Sequence, residues 1–197
     1  MISLRKPSPQ CIAEYLEQQR DQPFSYDFHR ASRDLLQSPL PGGFVLDHMR
    51  VSLGRGNRAW LAAQAAIRNW VMFRNGWTAL HSPLGPPKNG NVVAMLVWIA
   101  GLWWLNPSRV LYEIEETEPI RRFGFGYGTL HDHAERGEER FLVEQDVEGE
   151  VWYDLGSFSQ PRNPLVRLFR PWARRIQHRF ARDSAAAMQR YVAQSAE

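Results

Sequence analysis

The residues of this 197-residue chain best suited to chemistry gather in one short stretch: His131-Asp132-His133, followed by Glu135, Glu138 and Glu139. Imidazole and carboxylate suit a divalent metal such as zinc, and two His one residue apart on an extended chain can point the same way. The spacing fixes no third ligand, and Asp and Glu are frequent in turns. A metal site at His131, His133 and Glu138, acid–base chemistry and a plain surface loop therefore stand as alternatives, with the loop as the default. Just upstream, Gly124, Gly126 and Gly128 alternate with Phe123, Phe125 and Tyr127. A dinucleotide fingerprint needs Gly-x-Gly-x-x-Gly between a strand and a helix; here Thr129 breaks the pattern and polar loop follows. With a period of two, the three aromatics share one strand face. The other face is left bare, open to a packed helix, another backbone or a cavity.

Motifs of established enzymes are missing from the sequence. It holds no Gly-x-Ser-x-Gly elbow, no His-Glu-x-x-His and no phosphate loop with its Lys. The single cysteine, Cys11, has no neighbouring His to activate it. No catalytic residue, metal or cofactor is therefore assigned; Tyr127, Tyr153, His133 and Glu139 are the side chains that would serve an enzyme. A second notable run is 162–182, which holds seven Arg and no acid. It reads as the solvated face of a helix, a contact for an anionic membrane, or a phosphate-binding row. No aromatic–basic platform accompanies it, so specific nucleic-acid binding is not expected.

Composition sets the frame for these residues. The hydrophobic content of 44 % and charged content of 23 % are ordinary for a globular domain, and the net charge of +3 selects no partner class. Eight Trp and ten Phe are unusual, and imply large apolar surfaces to be covered by core packing or by a ligand. One cysteine permits no internal disulfide, and the first nine residues carry no apolar signal core. A cytoplasmic location is the expectation. The apolar run Val92–Leu105 is too short for a membrane span, which needs roughly 20 residues, and reads as buried strand.

The elements that must position these groups follow from periodicity. Residues 1–42, broken by Pro7, Pro9, Pro23, Pro39 and Pro41, read as a weakly structured arm with at most a short helix over 11–20. Phe44, Leu46, Met49, Val51 and Leu53 suggest a first strand. Asn57 is a candidate N-cap for an amphipathic helix with Trp60, Ala63, Ile67, Trp70 and Val71 on one face. Six strand segments follow: 77–82, 91–99, 109–116, 121–130, 139–146 and 151–158. Helical period returns after Pro161, with Leu165, Leu168, Trp172, Ile176, Phe180, Ala187 and Tyr191 in one stripe. Pro171 should kink that helix or mark its true start. Strands bunched between helices predict an α+β domain with a curved seven-stranded antiparallel sheet wrapped around a long C-terminal helix.

Several segments resemble one family. They are Pro39–Phe44, Val51–Gly56, Trp70–Phe73, Asn106–Val110, and above all Arg122-Phe-Gly-Phe-Gly-Tyr-Gly-Thr-Leu130 with His133, Gly137–Phe141 and Val151–Asp154. Together with the element order they are similar to a bacterial and plant domain-of-unknown-function family, number nineteen-ninety, within the START-like, birch-pollen-allergen-like helix-grip superfamily. The resemblance implies an N-terminal arm over 1–23, a helix-grip domain over 24–197, and a cavity for an apolar small molecule or lipid. The lining expected is Trp60, Trp70, Trp98, Phe125, Tyr127, Trp152, Phe158, Trp172, Ile176 and Phe180, with Glu139 and Tyr127 orienting a polar head. Arg167, Arg170, Arg174 and Arg182 would add a weak electrostatic contact with anionic surfaces. The other readings kept open are a hydrolase or cyclase-like enzyme on this scaffold and a docking module.

Overall fold

The computed structural model describes residues 1–35, 40–82 and 85–195. Pro39 of the Pro39–Phe44 segment, Pro83 and Leu84 between the expected strands 77–82 and 91–99, and 196–197 of the expected domain lie outside the described residues. Strands β1 (Ile2–Ser3), β2 (Val45–Arg55), β3 (Thr78–His81), β4 (Val92–Ile99), β5 (Leu102–Glu116), β6 (Arg121–Thr129), β7 (Glu135–Gln145) and β8 (Glu150–Pro161) form one antiparallel sheet. Its order is β2-β8-β7-β6-β5-β4-β3, with the short β1 paired to β5. Consecutive strands from β3 to β8 thus make a meander, and β2 closes against the last of them. Helices α1 (Pro9–Gln18), α2 (Gly56–Arg68), α3 (Pro164–Leu168) and α4 (Arg170–Ser195) complete the chain, with a 3-10 turn at Val71–Phe73. This is the α+β helix-grip architecture that the element order predicts.

Local chemistry explains where elements begin and end. The β4–β5 hairpin turns at Ala100 and Gly101, both at positive φ, as a two-residue hairpin loop requires. The β7–β8 turn is held by Asp146, whose carboxylate accepts from the Glu148 and Glu150 amides at 3.0 and 2.9 Å. β5 differs from the expected segment 109–116: it begins at Leu102 and runs through Asn106-Pro107. β6 pairs with β5 only from Ser108 onward, so the missing Pro107 donor interrupts no ladder on that side. Pro171 falls in the first turn of α4, where no amide partner is needed; the separate helix α3 precedes it, ending at Leu168 with Phe169 as its C-cap.

The inner face of the sheet carries transverse rows of side chains. Phe125, Phe141, Leu155 and Met49 stand opposite one another across β6, β7, β8 and β2, and Phe123, Val143, Tyr153 and Val51 form the next row. Over these rows lie Trp60, Ala63 and Ile67 of α2 and Phe180, Met188 and Val192 of α4. Small residues on both helices, Ala59, Ala62, Ala185 and Ala187, let them approach closely. Deleting one of the fully buried rings, such as Phe141→Ala, would cost about 3–5 kcal/mol.

The outer face is covered as well, by a chain segment expected to be largely unstructured. Ile12 and Tyr15 of α1 pack on Ala94, Leu96 and Leu105. Tyr26 and Leu35 pack on Phe158, with Phe28 and Phe44 beside it. The segment 24–35 is pinned by Glu138, buried on this face, which accepts from the Tyr26 hydroxyl (2.8 Å), the Arg30 and Ser32 amides (2.6 and 2.9 Å) and the Ser32 hydroxyl (2.7 Å). The bare side of β6 faces this layer, not a helix or a cavity. A Cβ on Gly126 would meet the Tyr112 ring at 2.3 Å, and one on Gly128 the Tyr26 hydroxyl at 2.1 Å. Packing on both faces accounts for much of the aromatic surplus.

Candidate functional site

The inner rows are covered unequally. α2 and the C-terminal half of α4 fill one end of the sheet, whereas α3 and the N-terminal half of α4 leave a cavity of about 610 Å³ at the other. Its walls are chiefly apolar: Met95, Val97 and Trp104 from β4 and β5, Ile176 and Phe180 from α4, and Trp77 at the side. Leu165, Phe169 and Trp172 line it and are about half exposed, so the cavity reaches the surface at the α3–α4 corner.

Polar groups gather where the inner rows change character. One step beyond the Phe125–Met49 row, Tyr127, Glu139, Ser157 and Asp47 stand opposite one another across the same four strands. The Tyr127 hydroxyl donates to Glu139 Oε2 at 2.6 Å. Glu135, on the same face of β7 as Glu139, accepts from the Gln177 amide, which also donates to Ser159 Oγ at 3.0 Å. Between the two carboxylates sits Gly137 at φ +145°, where a Cβ would strike the Phe158 carbonyl at 1.9 Å. That close strand approach admits only glycine. Arg174 of α4 grips the Asp47 carboxylate with both terminal nitrogens, and His178 Nε2 lies 3.4 Å from it.

Enclosure changes the acidity of these groups. Burial, reinforced by Glu135 and Asp47 and opposed by the Tyr127 hydrogen bond, pushes Glu139 up to about 7. Burial also raises Glu135, against the Ser159 and Gln177 hydrogen bonds and the Arg174 charge. It raises Tyr127 well above the usual phenol range and lowers His133 to about 4, so that imidazole is neutral. Near pH 7 the cavity thus holds a carboxyl that can give or take a proton, beside a phenol and a neutral imidazole. That arrangement can bind a polar group or exchange a proton with one.

Of the residues expected to line a cavity, Tyr127, Glu139, Trp172, Ile176 and Phe180 meet there. Phe158 touches the wall, but its ring lies among Tyr26, Phe28 and Phe44 on the outer face. The other five stand elsewhere. Trp60, Trp70 and Phe125 are consumed by the solid end of the core, where the Trp70 and Phe125 rings are 4.9 Å apart. Trp98 is 47 % exposed on the outer face beside Trp103, and strand alternation leaves Trp104, not Trp98, facing inward. Trp152 also points outward, under the Arg50 guanidinium and donating to Asp146 at 3.0 Å.

The His-Asp-His loop is dispersed. His131 is exposed, Asp132 accepts from Tyr15 and Gln19 of the α1 region, His133 lines the cavity and Glu138 faces outward. Among the described residues no three His, Cys, Asp or Glu stand together as a metal site. The arginines divide too: Arg167, Arg170 and Arg182 are exposed, whereas Arg174 is engaged with Asp47. Asp47 and Gln177 join the site without being among the residues that the sequence singles out. Asp47 had a usable signal, since following Met49, Val51 and Leu53 backwards in steps of two puts position 47 on the inner face.

Comparison with known proteins places these features in a wider set. A family described as "Domain of unknown function (DUF1990)" matches residues 25–187. A UPF0548 protein of Deinococcus radiodurans is 36 % identical over 200 residues, covering 96 % of this chain and 98 % of that one. A UPF0548 protein of Dictyostelium discoideum is 32 % identical over 207 residues, covering 98 % and 96 %. The crystal structure of a hypothetical protein from Helicobacter pylori is similar in fold, with a TM-score of 0.54 at 11 % identity over 85 % of this chain and 96 % of that one. No helix among the described residues is long and apolar enough to cross a membrane.

Proposed function

The chain belongs to the DUF1990 family of helix-grip proteins, and from that premise we propose that it binds an apolar small molecule or lipid between the sheet and the N-terminal half of α4. The observation that carries this reading is the cavity itself. A space of about 610 Å³ lies within the roughly 300–1,000 Å³ range of ligand pockets, and its apolar walls carry a few convergent polar groups at one end. Native interiors close-pack, so an apolar void of this size is costly unless it is occupied in use. The half-exposed Leu165, Phe169 and Trp172 at its rim offer a way in that leaves the solid end of the core undisturbed.

Titration with the neutral fluorophore N-phenyl-1-naphthylamine tests the reading. One saturable site of micromolar Kd is expected, with quenching of Trp77, Trp104 or Trp172 emission. Ala173→Trp, which fills the cavity from α4, should abolish it. No saturable binding, or binding indifferent to Ala173→Trp, would overturn the proposal. A second reading, proton transfer on the bound molecule, is favoured by one observation: Glu139 is held at about 7 and hydrogen-bonded to Tyr127 inside the cavity. Turnover of a bound compound that is lost in both Glu139→Gln and Tyr127→Phe would support it.

A further inference from the structure

Carboxylates at the polar end of the cavity outnumber the cations that face them. Around Glu139 stand Tyr127 from β6, Glu135 and His133 from β7 and its lead-in loop, Tyr153 from β8, Asp47 from β2, and Arg174 and His178 from α4. Arg174 is committed to Asp47, His178 points at the same carboxylate, and His133 is neutral. Arg182 is exposed at the rim. Glu135 has Gln177 and Ser159 as uncharged donors and feels the Arg174 charge without an ion pair of its own, and Glu139 has the uncharged Tyr127 hydroxyl. Glu139 Oε1 has no hydrogen-bond partner among the described residues, nor has His133 Nε2, whose ring is tied through Nδ1 to the Glu135 backbone.

We propose that the ligand is an amphipathic amine, its apolar body against Met95, Val97, Trp104 and Ile176 and its protonated nitrogen between Glu139 and Glu135. This rests on the binding reading above and adds the sign of the charge on the ligand's polar end. The cavity locates the ligand; the unmatched carboxylates select its head group. An ammonium offers three donors and a positive charge where the protein supplies acceptors and negative charge. A carboxylate or phosphate head would instead meet like charge in an enclosed site, and a neutral alcohol would gain hydrogen bonds alone. Without a cation, Glu139 keeps a proton in place of the missing charge, and the amine displaces it. Affinity therefore rises with pH through about 7, where Glu139 ionises, and falls again as the amine itself loses its proton near pH 10.

The test uses the full chain and three probes of one length, decylamine, decanol and decanoate, titrated below their micelle concentrations by tryptophan fluorescence at pH 6 and 8.5. Decylamine should bind about tenfold or more tighter than decanol at pH 8.5, with a smaller ratio at pH 6 and decanoate weakest of the three. Glu139→Gln should bring the decylamine-to-decanol ratio close to one, and Glu135→Gln should lower it in part, so the inference does not depend on one variant folding. Equal affinity for decylamine and decanol at both pH values would overturn the head-group inference and leave the apolar cavity standing. Tightest binding of decanoate would overturn it by reversing the sign. Failure of all three probes to bind would overturn the cavity reading as well.

Discussion

Replacing Glu139 by Gln should make the unliganded protein more stable, and more so as pH rises. Gln keeps the side-chain shape and an oxygen acceptor for the Tyr127 hydroxyl 2.6 Å away, but it cannot ionise. Burial is the main cause holding the Glu139 carboxyl at about 7 instead of 4.5. Between these values the folded protein retains a proton that the unfolded chain has released. The contribution of Glu139 to stability therefore falls as pH rises from about 4.5 to about 7 and is level above that. The full gap corresponds to about 3 kcal/mol. Part of it is already lost by pH 5, so the advantage of the Gln variant should grow by about 2 kcal/mol between pH 5 and pH 8. Urea unfolding followed by tryptophan emission at the two pH values measures this, and thermal midpoints should separate by about 4–8 °C more at the higher pH. A gap between variant and wild type that stays constant or narrows with pH would refute the reasoning, because it would mean that Glu139 is solvated and ionised in the folded state.

Three further outcomes are expected. Glu138→Ala removes the acceptor of four hydrogen bonds and leaves the buried Ser32 amide unpaired, the Ser32 hydroxyl keeping only the Tyr112 hydroxyl, so it should cost about 2–4 kcal/mol in chemical unfolding; a loss below about 0.5 kcal/mol would show that segment 24–35 is not pinned there. Asp47→Asn leaves Arg174 without its ion pair and should loosen α4 over the cavity, seen as faster amide exchange at 172–178 with little change at 184–192; uniform exchange along the helix would count against it. Binding to anionic vesicles through the exposed Arg167, Arg170 and Arg182 should be weak and disappear as salt shortens the Debye length below about 8 Å. Salt-resistant binding that needs Trp172, which is 43 % exposed, would instead show apolar insertion by the α3–α4 corner.

The architecture was legible in the sequence because it follows from period and punctuation. Alternating Phe and Gly over 121–130, strand segments bunched between helices, and a helical stripe after Pro161 specify an antiparallel sheet and a long covering helix without knowledge of any contact, whereas the order in which the strands pair is a tertiary fact they do not carry. The site was legible only in part. Tyr127 and Glu139 could be placed in it because alternation along β6 and β7 puts them inward. Trp60, Trp70 and Phe125 are also inward, but whether an inward ring meets a ligand or another ring depends on which half of the sheet α2 covers, a tertiary fact that periodicity does not encode. Trp98 and Trp152 differ for another reason: size and apolarity suggest the interior, while strand alternation turns both outward, where Trp103 and Arg50 partly cover them. The N-terminal arm misled because its prolines forbid long elements without forbidding a close-packed irregular strap. That strap is held by side chains, such as Glu138, distant in sequence.

Glu138 and Glu139 are adjacent in the chain and lie on opposite faces of β7, one fastening the outer strap and the other closing a row inside the cavity. Side chains in a strand change face with every residue, so sliding β7 by one position would turn each carboxylate to the opposite face. A slide one way brings Glu139 beneath the Ser32 and Arg30 amides and Arg140 opposite Tyr127; a slide the other way brings Glu138 opposite Tyr127 and Gly137 to the strap; either way Gly137 leaves the one place where a Cβ cannot fit. The strand is thus keyed at three consecutive residues, and its reading frame is fixed independently from inside and outside. Single-residue insertions or deletions in 137–139 should therefore disable the fold, whereas the exposed bend at 131–132 can absorb one at the cost of the Asp132 contacts with α1.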